Sequence, residues 1–116
     1  MDPRTHRALE RCQRDFDQLK AELAKLGFVL PGSVAERRMT CGKPSCRCRD
    51  DPEARHGPYI QWTWNTKGHT FSAYLDSEQA ALCKEWIQNT RRLQRLIAQM
   101  RQLSLKAARL HRIAPK

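Results

Sequence analysis

From Leu82 to Leu110 an apolar or seam residue returns every three or four positions: Leu82, Trp86, Asn89, Leu93, Leu96, Met100, Leu103, Ala107 and Leu110. The steps alternate four and three without a break, which is the signature of a heptad-patterned helix. Asp76 caps its start, and Gln79 three residues on completes a capping box. The predicted helix spans residues 77–112. That is about 50 Å at 1.5 Å per residue. A helix this long in a chain of 116 residues limits everything else that can fold around it.

A second seam lies in the first quarter. Leu9, Cys12, Phe16, Leu19, Leu23 and Leu26 alternate steps of three and four, predicting a helix over residues 5–26 that Gly27 stops. Between the helices the period drops to two. Ile60, Trp62 and Trp64 alternate with polar residues, as do Phe71, Ala73 and Leu75, and Asn65-Thr66-Lys67-Gly68 supplies turn chemistry between them. Val34 to Thr40 reads as a further short strand. The expected class is therefore α+β, in one domain over 1–116. Two long heptad-patterned helices flank a small hairpin or three-stranded sheet, with a zinc-binding loop inside residues 33–75. Trp62, Trp64 and Phe71 share an apolar face and are expected to pack on the helices. Tyr59 and Tyr74, on the opposite face, are the better candidates for contacting a base.

Cys41, Cys46, Cys48 and His56 form the pattern C-x4-C-x-C-x7-H. Zinc prefers four tetrahedral nitrogen and sulfur ligands, and a Cys3His set leaves no open position, which marks a structural site. Gly42 and Pro44 allow the chain reversal that would bring Cys41 and Cys46 to one ion. The rival readings are free thiols on a loop or a redox pair. His69 is a reserve fourth ligand on the hairpin turn. Cys12 falls on the first seam as a small buried hydrophobe, and Cys83 has no ligand neighbour. Five cysteines, a polar Met1-Asp2-Pro3-Arg4 start without a secretory signal and no apolar run able to span a bilayer together lead to the expectation of a reducing, cytoplasmic setting.

The chain carries 22 Lys and Arg against 12 Asp and Glu, a net charge of +10, which draws polyanions. From Asn89 onward there is no acidic residue. Arg91, Arg92, Arg95, Arg101, Lys106, Arg109, Arg112 and Lys116 all lie there, off the seam. Arg37, Arg38, Lys43, Arg47, Arg49 and Arg55 add a second basic group around the cysteine loop. Arginine predominates in both, and its guanidinium suits bidentate phosphate contact. These residues are the candidate nucleic-acid contacts, with DNA favoured over RNA. A charged helix face is more often plain solvated surface, and the acids of the first helix (Glu10, Asp15, Asp17, Glu22) offer pairing partners for some cations. No triad, acid pair or phosphate loop is legible, so an enzyme is not expected, and a thiolate nucleophile would lose its thiols to zinc. A membrane-surface role is disfavoured because the basic helix lacks a broad apolar face.

The segments Cys41-Gly42-Lys43-Pro44-Ser45-Cys46-Arg47-Cys48, His56-Gly57-Pro58-Tyr59 and Trp62-Thr63 resemble a family of short, uncharacterised bacterial proteins found on plasmids, phages and other mobile elements. The resemblance covers roughly Gly32 to Arg92. It implies that the four candidate ligands act together in a DNA-transaction context, and it names no reaction. The expected function is a zinc-stabilised nucleic-acid-binding accessory protein of a mobile element. It is expected to form a homodimer through Leu93, Leu96, Met100, Leu103 and Leu110. The alternative is an adaptor that docks on a recombinase, transposase or nuclease.

Overall fold

The computed structural model describes residues 1–113. In chain order it shows α1 (Pro3–Ala24), β1 (Ser33–Met39), β2 (His56–Thr66), β3 (His69–Leu75) and α2 (Ser77–Leu110). Two 3-10 turns, Arg47–Arg49 and Pro52–Ala54, lie between β1 and β2. This is the α+β arrangement: two helices bracket a three-stranded antiparallel sheet of order β1-β2-β3. No helix among the described residues is long and apolar enough to cross a membrane.

Each helix begins where its side chains can satisfy the free N–H groups of a first turn. Asp2 accepts from the Thr5 backbone N–H at 2.8 Å, and Pro3 follows it, so α1 starts two residues before the apolar seam suggested. That hydrogen bond, with the Thr5 hydroxyl, holds the Asp2 carboxyl below its usual range. At α2 the capping box forms as the sequence implies: Asp76 accepts from Gln79 N at 2.8 Å, and Gln79 Oε1 accepts from Asp76 N at 2.9 Å. In the hairpin, Thr66 pairs with His69, so only Lys67 and Gly68 make the turn. Both have positive φ, 50° and 78°, the conformation that matches a two-residue loop to the twist of its strands.

The chain divides into two compact units. One joins residues 1–29 to the segment from Asn89 on, and the other is 30–88. In the first, α1 runs against the later part of α2. The Asn89 side-chain amide donates to Phe28 O at 2.9 Å near one end, and Leu9, Phe16, Leu103 and Ala107 face a common hollow further along. Cys12 and Leu96 are its most buried residues, at 5% and 4% exposure. In the second unit the buried side chains are Cys48, Ala80, Cys83 and Ile87. Leu82 departs from the seam reading and is 47% exposed. The first turns of α2 belong to the sheet unit, so their buried face is set by Ala80, Cys83 and Ile87 and not by the stripe that faces α1.

The seam's later part also differs from expectation. Antiparallel pairing brings α1 alongside residues 89–110, so Leu93, Met100, Leu103 and Leu110 are half-buried and Leu96 is buried within a single chain. Asn89, which at a seam position would set register between chains, spends its amide on Phe28 instead. Of the expected dimer residues, Leu96 is thus buried in the single chain and the other four keep part of their surface open.

Candidate metal centre and basic surfaces

The loop between β1 and β2 begins at Thr40 and ends where β2 starts, at His56. Cys41 leaves β1, and Gly42, with φ of 79°, turns the chain back. Cys46 precedes the first 3-10 turn, whose single helical step brings Cys48 underneath it. Asp51 caps the second 3-10 turn by accepting from Glu53 N at 3.0 Å, and two residues after that turn the strand opens with His56. Gly57 fixes the strand start. Its φ is 123°, and a Cβ there would come within 2.8 Å of Arg37 O and 2.9 Å of Tyr59 N. Arg38 lies opposite Gly57 and Pro58, where the β1–β2 register shifts, and its Nη1 donates to Gly57 O at 3.4 Å. A bulge of this kind re-aims the neighbouring side chains.

The result is a cluster. The ligand atoms of Cys41, Cys46, Cys48 and His56 all lie within 4.8 Å of one another. Cys41 Sγ and Cys48 Sγ are 3.7 Å apart, and Cys46 Sγ is 3.4 Å from His56 Nε2. A tetrahedron with metal–sulfur bonds near 2.3 Å and metal–nitrogen near 2.05 Å has edges of about 3.8 Å (S–S) and about 3.55 Å (S–N). Both observed edges agree with that figure. The Cys41 backbone N–H points at Cys48 Sγ at 3.4 Å, the kind of contact that orients a ligating sulfur. Cys48 is buried, Cys46 half-buried, and Cys41 and His56 exposed.

The thiols are unequal without metal. Hydrogen bonds from Cys48, backbone then side chain, and from the Cys41 thiol lower the Cys46 pKa. At Cys48 the Cys41 N–H pulls the pKa down, but burial and the neighbouring Cys46 and Cys41 thiols outweigh it and push it up. Three soft sulfurs and one imidazole could hold a thiophilic metal ion, and the donor set and these two edges suit one. His69 stands apart, its ring 6.5 Å from Phe71. Cys12 and Cys83 are buried outside the cluster.

The candidate phosphate contacts fall in two sets, one per unit. Arg37 and Arg38 are on β1, Lys43, Arg47, Arg49 and Arg55 on the metal loop, and all are exposed. Arg47 is partly committed, since its Nη2 meets Asp51 at 3.1 Å. On α2, Arg91, Arg92, Arg95, Arg101, Lys106 and Arg109 are exposed too. At 100° per residue Arg91, Arg95, Lys106 and Arg109 fall within an arc of about 60°, roughly opposite Met100. Among the described residues no ion pair joins a cation of α2 to a carboxylate. Of the acids of α1, Glu10 pairs with His6 and Asp17 with Lys20, both within the helix. Lys116 lies outside the described residues.

The aromatic residues separate as the alternation requires, and Trp62, Trp64 and Phe71 stack on one another, with centroids 3.7 Å and 5.3 Å apart. Trp62 Nε1 also donates to Pro31 O at 2.8 Å. One feature had no simple signal in the sequence: a hollow of about 480 Å³ lined by Phe16, Ile97, Met100, Arg101, Ser104 and Leu105. Ile97 and Leu105 lie off the heptad seam, so only the packed helix pair shows them beside Phe16.

Comparison with curated proteins and with solved structures returns no match. A family model does match, over residues 9–89. It reaches further into α1 than the motif resemblance did, contains the whole Cys/His cluster, and stops where the acid-free part of α2 begins. With most of its length matched, the chain belongs to the family described as Domain of unknown function (DUF6788).

Proposed function

We infer that this chain is a zinc-stabilised nucleic-acid-binding accessory protein, acting on DNA. The observation that carries the reading is the surface of α2 from Asn89 on: exposed cations, no acidic residue and no ion pair to quench them among the described residues. Ordinary surface helices mix both signs, and a face of one sign on a rigid rod meets the regular charge of a duplex, where displaced counterions drive association. The Cys/His cluster serves this by ordering a loop that carries a second basic set. Zinc is the metal that fits a closed Cys3His site with no redox role. The resemblance of the C-G-K-P-x-C-x-C and H-G-P-Y segments supports a place among bacterial mobile elements, and a cysteine-ligated zinc site suits a reducing cytoplasm.

Anisotropy of a labelled duplex tests the reading. Changing Arg91, Arg95 and Arg109 together to Gln should weaken binding by more than tenfold while circular dichroism stays unchanged, because all three side chains are solvent-exposed. Equal affinity for both proteins would remove α2 from the interface.

A second reading is favoured by the hollow beside Phe16. Leu105 at its edge is 53% exposed, and apolar surface of this kind commonly receives a protein. The chain would then be an adaptor, docking on a second copy of itself or on a recombinase, transposase or nuclease. Its mark would be feeble, sequence-independent affinity for bare duplex at physiological salt.

A further inference from the structure

The register of the sheet gives it two unlike faces. One carries Val34, Ile60, Trp62, Trp64, Phe71 and Leu75. The other carries Ala35, Arg37, Tyr59, Gln61, Ser72 and Tyr74, alternating with the first along each strand. On this second face Ala35 is the one aliphatic side chain up to Arg37, and the half-buried Met39 follows at the end of β1. Thr63 and Ser72 hydroxyls meet there at 3.4 Å across β2 and β3. Tyr59 and Tyr74 approach each other to 5.9 Å between centroids, tilted by 57°, yet remain 41% and 62% exposed. Arg37 stands directly across from Tyr59 in the ladder and is exposed.

A face whose centre carries no bulky aliphatic side chain is not built to be covered by an apolar layer of protein. It offers two aromatic rings, a guanidinium beside one of them and hydroxyl and amide groups around both. That chemistry matches unpaired bases: rings accept a base face, the cation meets its phosphate, and the polar rim meets base edges. A duplex keeps its base faces stacked inside and cannot use the rings. The metal loop joins the strands at the Tyr59 end of the sheet, between Met39 and His56, and carries the exposed Lys43, Arg49 and Arg55.

We propose that the Tyr59–Tyr74 face of the sheet binds single-stranded nucleic acid by base stacking, as a site separate from the duplex-facing cations of α2. It rests on the nucleic-acid reading only in the class of ligand, and it fails or stands independently of α2.

The chain contains two tyrosines, and both are in this site. Incorporation of 3-fluorotyrosine therefore places both 19F signals on the proposed surface. Both signals should move on addition of single-stranded oligo-dT or oligo-U, and which one moves them at lower concentration distinguishes DNA from RNA. An abasic strand of equal length should leave them in place even where its phosphates bind, and so should a blunt duplex. Tyr74→Ala, at an exposed position, should weaken oligonucleotide binding by roughly 5- to 150-fold, the range for losing one stacked base. Tyr74→Phe keeps the ring and should keep the affinity. Signals unmoved by either strand, or moved equally by the abasic strand, would overturn the proposal. So would Tyr74→Ala with unchanged affinity. Loss of duplex binding in the α2 triple Gln variant, with the 19F shifts retained, would support it.

Discussion

Cys48→Ser should melt the metal loop and spare the helices. In the loop spanning residues 40–55 only Cys48 is buried, at 1% exposure, and no apolar side chain replaces a core. The protein contacts holding it are two 3-10 turns, the Asp51 cap and the exposed Arg47–Asp51 pair. An exposed ion pair contributes about 0–1 kcal/mol, and a net hydrogen bond about 1 kcal/mol. Ordering the backbone costs about 1–2 kcal/mol per residue. Across such a loop the deficit reaches the order of 10 kcal/mol, which a structural zinc ion, at about 10–16 kcal/mol apparent, would offset. Removing one ligand should forfeit most of that. Hydrogen exchange read by mass spectrometry should then show protection lost over residues 40–58. Far-UV circular dichroism should hold nearly constant, because α1 and α2, of 22 and 34 residues, carry the helical signal. Cys83→Ser is the control: equally a buried cysteine, but outside the cluster, it should retain one zinc per chain by elemental analysis. Wild-type protein that purifies without metal, with loop amides as protected as before, would refute the reasoning.

The other expectations are briefer. Zinc should dissociate as pH falls, since protons compete with the metal for three thiolates and an imidazole, and the loop should loosen in step; metal release against pH checks this. Gly57→Ala should cost roughly 1–3 kcal/mol in chemical denaturation and weaken metal binding, because it places a Cβ against Arg37 O and strains the residue beside His56. Leu96→Ala should cost about 2–5 kcal/mol as a core deletion, whereas Leu105→Ala, at an exposed position, should change stability little. If the hollow beside Phe16 seats a second copy, light scattering should show a dimer that Leu105→Glu dissociates. Leu103→Glu is the poorer probe, because Leu103 is half-buried beside α1.

What the sequence made legible was whatever depends on neighbours in the chain. The Asp76–Gln79 capping box, the turn within Asn65-Thr66-Lys67-Gly68, which closes on its last two residues, and the C-x4-C-x-C-x7-H cluster are local patterns legible in the residue types. The bulge opposite Gly57–Pro58 was hidden, because register is a property of two strands. So was the change of buried face within α2. A heptad repeat describes one partner, and this helix serves two units, so Leu82 is exposed where the repeat would bury it. Helix lengths alone could not reveal how α1 runs beside residues 89–110, which the Asn89–Phe28 hydrogen bond and the hollow shared by Leu9, Phe16, Leu103 and Ala107 show. The hollow at Ile97 and Leu105 arises from the same pairing.

The most direct test of the central claim is the salt dependence of duplex binding. Log affinity against log salt concentration should be linear, with a slope close to −0.9 for each phosphate neutralised. Arg91, Arg95, Lys106 and Arg109 share one arc of α2, so the variant with Arg91, Arg95 and Arg109 changed to Gln should have a slope shallower by about 2–3 units. A slope that is the same in wild type and variant, or duplex binding that is undetectable even at low salt, would contradict the account.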